Sequence, residues 1–406
     1  MFQSFCRSSL LVCLIAITLP TKSYSQADSI IKKEPPVAKK WYENIAIRGY
    51  TQIRYNRLLE TNENLGCEQC DRSWGKNGGF FIRRMRIIFF GQIHKNVYLY
   101  LQPDFASSPS ADRLHFAQIR DAYLDVGVDN DNEFRFRIGQ SKVPYGFENM
   151  QSSQNRLPLD RNDALNSAVT NERDLGVFFY WAPKKKRQLF SSLVGDGLKG
   201  SGDYGIFAFG VYNGQTANNP ELNNELHVVS RFTWPFEWNN QIIETGIQAY
   251  TGKYVASNFS SKMKKPADPN FIDERVAGSF ALYPKPFGLF AEYTVGRGPE
   301  FNKVTDSIEV MPLQGGYIQP CYMIKMKKQT LIPFVRYQYY DGGKKLERDA
   351  RSYEVSELEI GAEWQPNKNF ELVFNYTISN RRYEDFTLRN NFQAGRLLRI
   401  QAQVNF

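Results

Sequence analysis

Residues 397–406, LLRIQAQVNF, alternate strictly from Leu398 to the end of the chain. Leu398, Ile400, Ala402, Val404 and Phe406 fall on one side, and Arg399, Gln401, Gln403 and Asn405 on the other. Successive side chains of a strand point to opposite faces. This strand is therefore apolar on one face and carries amides and a cation on the other, as a wall between lipid and water requires. A sheet can cross hydrocarbon only if it closes on itself, because an open edge would leave backbone groups unsatisfied. The expected fold is an all-β, transmembrane, antiparallel up-and-down barrel.

The opposite end of the chain fits an exported protein. Arg7 precedes an apolar stretch over residues 10–19, and Ser23-Tyr24-Ser25 supplies a small-x-small triplet ahead of Gln26. These are the parts of a secretory signal peptide cleaved near Ser25. The alternative, a helical anchor, needs roughly 20 apolar residues to cross about 30 Å of hydrocarbon, and no run of that length exists anywhere. Cys13 follows Val12 inside the apolar run, which argues against a lipoprotein cleavage site. The expected organisation is a signal peptide over 1–25, a short polar periplasmic leader over 26–43, and the barrel over 44–406.

Removing 1–25 deletes Arg7 and Lys22 and no acid from 51 basic and 42 acidic residues, leaving 49 against 42, net +7. Basic excess can mark a nucleic-acid partner, but export excludes that reading, so small anionic solutes are the better partners. An aromatic content of 15% suits strands with aromatic girdles at both membrane interfaces.

Sixteen strand-like segments can be read. The first eight are 45–56, 81–93, 97–105, 118–128, 133–141, 175–181, 205–212 and 226–236. The second eight are 241–250, 275–283, 288–295, 315–326, 330–340, 356–364, 370–379 and 397–406. Short connections (94–96, 129–132, 237–240, 284–287, 327–329, 365–369) alternate with long ones. The long set is 57–80, 106–117, 142–174, 213–225, 251–274, 296–314, 341–355 and 380–396. Short turns on one rim and long loops on the other are the pattern of an outer-membrane barrel, with the short turns periplasmic. One connection breaks it: 182–204 should be short and is a Lys- and Gly-rich stretch of 23 residues.

With the apolar face outward, parity gives the lumen. Arg48, Tyr50, Gln52 and Arg54 face water in the first strand, Arg135 and Arg137 in the fifth, and Arg231, Arg336 and Arg399 later. Asp121, Asp125, Glu357, Glu359 and Glu363 also point inward, so a basic and an acidic wall are expected. A charge facing lipid near the midplane would cost about 2–4 kcal/mol, which fixes this parity. In FFIRRMR, Arg84 and Arg86 share a face, while Arg83 must sit at the rim, at a bulge or against another protomer. These guanidiniums either pair with lumen carboxylates or form a row suited to phosphate or carboxylate, as in anion-selective pores.

Other chemistry is poorly supported. Cys67-Glu68-Gln69-Cys70, in a polar loop outside the cytoplasm, reads as a local disulfide. No second Cys pair accompanies it, and His94, His115 and His227 lack ligand spacing, so no metal or cofactor is expected. A barrel enzyme would need a nucleophile and base suitably placed, and no Gly-x-Ser-x-Gly occurs. A structural or adhesive surface barrel would leave the inward arginines without a task.

The strand FFIRRMRIIFFGQI, the stretch IRDAYLDV followed by RIGQSKVPYGFEN, and ERDLGVFFY followed by GVYNG resemble the phosphate-selective porin O/P family over most of the mature chain. The resemblance implies a sixteen-stranded outer-membrane porin, usually a homotrimer, that passes phosphate-like anions by passive diffusion. It also implies that the third long loop folds into the lumen. Arg83, Arg84 and Arg86 stand at the family's Arg-Arg-x-Arg strand, and Lys142 at the lysine of its Gly-Gln-x-Lys turn. Residues 143–171 would be the constriction, bringing Arg156 and Arg161, with Arg173 just beyond. Gly146 suits a tight reversal, Pro144 and Pro158 stiffen the loop, and Ser152 and Ser153 are donors for an oxyanion. With Arg135, Arg137 and Arg231 these make the expected solute-binding set. The basic residues here are scattered among glutamates rather than aligned as a ladder.

Overall fold

Sixteen antiparallel strands close into one barrel in the computed structural model. The structure describes residues 40–70, 74–76, 78–106, 115–169 and 171–406. The signal peptide expected at 1–25 and most of the leader expected over 26–43 lie outside the described residues. The strands are β1 Ala46–Leu58, β2 Phe81–His94, β3 Val97–Asp104, β4 Gln118–Gly127, β5 Phe134–Lys142 and β6 Arg173–Trp181. Then follow β7 Phe207–Tyr212, β8 His227–Trp238, β9 Gln241–Val255, β10 Asn270–Leu282 and β11 Phe287–Asn302. β12 is Ser307–Tyr322, resumed after a break at Met323 as Ile324–Met326; β13 Gln329–Gly343, β14 Ser352–Asn367, β15 Phe370–Glu384 and β16 Phe392–Asn405 complete the wall. Closure comes from β1 pairing with β16, with Gln52 opposite Gln403 and Arg54 opposite Gln401.

Period-2 patterning carries through the strands. On β5, Phe134, Phe136 and Ile138 are exposed on the outer face, while Arg135 and Arg137 are buried inside. On β16, Arg399, Gln401 and Gln403 are buried and Val404 is exposed. Trp238, Phe287, Tyr322 and Phe406 stay exposed near the short-turn rim, where an aromatic girdle belongs.

Two readings of the sequence need correction. The connections 296–314 and 380–396 are largely strand, and strands also run into 251–274 and 341–355 from both sides: β11 and β12 remain paired up to Asn302 opposite Ser307, leaving only 303–306 as a turn. Above the membrane the outer face meets water, so the ladder continues without the apolar alternation that marked it lower down. The second correction concerns parity. At Arg83 the β1–β2 register shifts between Gln52 and Ile53, and at Arg120 the β3–β4 register shifts between Gln102 and Pro103. Each bulge inserts one residue, so Arg120 and Asp121 are both buried on the inner side, where simple alternation would have sent Arg120 to lipid.

Two segments fill the interior. The first is 143–172, the connection from β5 to β6, containing α1 Phe147–Met150 and α2 Asp163–Ala168. The second is the anomalous 182–206 connection at the short-turn rim, containing α3 Lys184–Gly195. Phe147, Leu157 and Leu159 of the first, and Phe190, Leu193, Leu198 and Ile206 of the second, join one buried apolar cluster. Its other members are inward residues of the wall from β9 to β15, including Ile242, Phe290, Tyr317, Ile332, Phe334 and Val373. One side of the lumen is thus packed like the core of a soluble protein.

Candidate functional site

The 143–172 segment is held across the barrel by charges on strands far away in sequence. Gly146, at φ +81°, opens it; a Cβ there would lie 2.8 Å from Leu165 Cδ1, so the reversal calls for glycine. Asn162 caps α2 by accepting from the Leu165 amide, and Glu148 accepts from both the amide and the side chain of Asn162. Arg54 donates to Leu159 O at 2.6 Å, and Arg399 and Arg54 both pair with Asp160. Arg336 bonds Glu148 at 2.9 Å and Glu359 at 2.7 Å. Asp163 receives Lys344 at 2.5 Å and Arg381 at 2.9 Å. Lys142 Nζ donates to the carbonyls of Met150 and Gln151, at 3.1 and 2.6 Å. The remaining anchor is Glu172, ringed by Arg156 at 3.6 Å, Arg161 at 3.3 Å and Arg173. Burial opposes ionisation of Glu172, but the guanidiniums of Arg161, Arg173 and Arg156 outweigh it and hold the carboxyl well below its usual range.

The expected solute-binding residues therefore divide. Arg137 makes a bidentate pair with Asp125 at 2.7 and 2.8 Å, and Arg173 forks onto Asp121. Arg135 pairs with Asp203 at 2.9 Å, and Arg231 with Glu244 at 3.3 Å. Arg86 is engaged by Asp104 at 2.8 Å, Tyr50 at 2.7 Å and Ser153 Oγ at 3.0 Å. Arg83, at its bulge, donates to Cys70 O at 3.0 Å. The Cys67–Cys70 disulfide lies beside it, in an apolar cluster with Leu65, Trp74 and Leu397.

Arg84 differs from all of these. Its side chain is 4% exposed and bonds Gln52 Oε1 at 2.8 Å. Its Nε has no hydrogen-bond partner, and no carboxylate pairs with it among the described residues. The charges that weigh on it most are the like charges of Arg83, Arg86, Arg156 and Arg54. Arg156 leaves Nε and Nη1 unbonded, and Arg120, 3.4 Å from Asp104, leaves Nη1 unbonded. Arg84, Arg156 and Arg120 are thus among the described arginines with open donors, as Arg135 and Arg231 are at Nε, and Gln52, which accepts from Arg84, also reaches Ser153 O. Sequence reasoning missed Arg120. Two adjacent charged residues in a strand, Arg120-Asp121 like Arg83-Arg84, were the available sign of a bulge.

Comparison with known proteins agrees with this architecture. The family model for phosphate-selective porin O and P matches residues 65–406. No curated protein matches the sequence. Among solved structures, the outer membrane channel DcaP of Acinetobacter baumannii is similar at 13% identity, covering 89% of this chain and 97% of that one, with a TM-score of 0.54. The trimer form of OmpT, an outer membrane protein of Vibrio cholerae, aligns at 11% identity over 89% of this chain and 100% of that one, with a TM-score of 0.53. An anion-selective porin from Comamonas acidovorans aligns at 8% identity over 89% and 99%, with a TM-score of 0.52.

Proposed function

Since the chain belongs to the phosphate-selective porin O and P family, an outer-membrane channel family, we propose that it passes small anions, phosphate or polyphosphate foremost. The observation that carries the reading is Arg84. A guanidinium taken out of water beside four others, with no carboxylate partner among the described residues, is costly unless something negative completes the site. Most lumen arginines here are neutralised by acids of the wall or of the 143–172 segment, so they hold structure. Arg84, Arg156 and Arg120 retain donors in the planar geometry that suits phosphate oxygens. Asp104 and Glu172 close by limit how tightly an anion is held, and a pore needs sites weak enough to release what they bind.

The test is planar-bilayer recording with added phosphate. Wild-type channels should show an anion-selective reversal potential and a chloride current blocked by phosphate. In Arg84→Ala the block should weaken. Cation selectivity, or block unchanged in Arg84→Ala and Arg156→Ala together, would overturn the reading. We further propose that three copies associate through the lipid-facing wall, among outer-membrane lipid and lipopolysaccharide. An unheated sample migrating at the monomer mass after native extraction and crosslinking would count against that.

A further inference from the structure

A cavity of about 310 Å³ lies where the 143–172 segment, the 182–206 segment and the inner face of β1 to β6 meet. Met150, Ser152, Gln154 and Asn155 line it from the first segment, and Arg187, Ser201, Asp203 and Tyr204 from the second. The second segment is fixed in place. Lys199 forms a 2.5 Å ion pair with Glu363 on β14, Gln151 donates to Lys199 O at 2.7 Å, and Asp203 bridges Arg135 and Arg187 at 2.9 and 2.8 Å. With the wall from β9 to β15 packed against the apolar cluster, this chamber is the polar part of the lumen on the short-turn side of the 143–172 segment.

Its lining combines two chemistries. Tyr98, Tyr100, Tyr123 and Tyr204 all reach it and all are half-buried rather than buried. Tyr100 and Tyr123 stack at 5.0 Å, and Arg137 lies 3.9 Å over the Tyr123 ring and 5.3 Å from that of Tyr204. Six cations line the cavity, Arg48, Arg135, Arg137, Lys142, Arg173 and Arg187, against three carboxylates, Asp121, Asp125 and Asp203, an excess of three positive charges. Arg48 has no carboxylate partner among the described residues. Inorganic phosphate has no use for ring faces. A solute that has a ring as well as a negative charge uses both: its flat face rests on tyrosine while its charge meets the excess cations.

We propose that this chamber is a second solute site, built by the 182–206 segment, that takes phosphorylated sugars. The proposal rests on the reading of the chain as an anion channel and narrows its substrate class. Glucose 6-phosphate, added on the short-turn side of a bilayer, should block chloride current at lower concentration than inorganic phosphate or glucose. Tyr204→Ala should weaken that block by roughly two- to tenfold, the range of a lost aromatic contact. Tyr204→Phe should retain it, and phosphate block should not change in either. Tyr100→Ala repeats the measurement from the wall, should the Tyr204 change disturb the segment. Glucose 6-phosphate block no stronger than phosphate block, or indifferent to both alanine changes, would overturn this proposal while phosphate block left the channel reading standing. Loss of block by every anion in the wild type would overturn both.

Discussion

Arg84 and Arg86 lie two residues apart on one face of one strand, yet they differ in what surrounds them. Arg86 binds a carboxylate, a phenol and the Ser153 hydroxyl, and so ties β2 to the 143–172 segment. Arg84 has only the Gln52 amide and a field of like charges. Removing Arg84 should therefore weaken phosphate block by roughly ten- to hundredfold, the value of a charge-assisted contact of about 1.5–3 kcal/mol, while thermal stability holds or rises. Removing Arg86 should do the reverse: it leaves Asp104 with Arg120 alone as a cationic partner, 3.4 Å away, and frees Ser153, lowering the unfolding temperature in detergent more than it alters block. Equal effects of the two changes on both readouts would contradict this division. Gly146 is a third residue-scale case. Gly146→Ala forces φ +81° on an alanine and drives a methyl to 2.8 Å from Leu165. A cost of about 1–3 kcal/mol is expected, read as earlier loss of heat-resistant migration on gels.

At the scale of elements, the inner segments are held by buried ion pairs, and those pairs set how pH acts. Burial alone would raise the Asp163 carboxyl, but Arg381 and Lys344 outweigh it and bring it from the ordinary 3.8 down to about 2. A carboxyl depressed by folding stabilises the folded arrangement above its ordinary value, and that stabilisation is lost as pH falls through the folded value. Asp160 and Glu172 are likewise held well below the usual range by surrounding arginines that overcome burial. Single-channel current should thus stay quiet from neutral pH to about 4. Flicker from a loosened 143–172 segment should grow only as pH falls from 3.8 toward about 2. Flicker that sets in near pH 6 would show that other groups govern the segment. The strands themselves were readable because lipid imposes a two-residue period on every one of them. The bulge at Arg83 was one of the three placements its neighbouring charges allowed, and the one at Arg120 was not read, since a bulge leaves no mark beyond two neighbouring charges. The partners of the segment were hidden for another reason: Asp163 meets Lys344 and Arg381 from strands and loops about half the chain away, and one sequence holds no trace of such pairing.

For the whole molecule, the two inner segments turn a hollow barrel into a half-filled one. Parity predicted a wet lumen, and on β1 to β5 the inward face is indeed mostly polar, whereas β6 turns Phe178 and Tyr180 into a second apolar cluster. On β9 to β15 it includes Ile242, Phe290, Ile332, Phe334 and Val373, which parity alone would have assigned to water. Their task is to receive Leu193 and Leu198 of the 182–206 segment and Leu157 and Leu159 of the other, so the anomalous connection and the apolar inner wall explain one another. Lys199 pins this arrangement across the barrel to Glu363, whose side chain has no exposure. Lys199→Ala leaves that carboxylate buried and unpaired, which should cost about 3–5 kcal/mol. Replacing both partners at once, Lys199→Met with Glu363→Gln, should recover most of the loss, because the cost lies in the stranded charge rather than in a missing attraction. Chemical unfolding in detergent measures both variants, and conductance of the single variant gives an independent readout. If Lys199→Ala unfolds like wild type and its conductance is unchanged, the segment does not fill the lumen, and the solute path is wider than the packing of this interior allows.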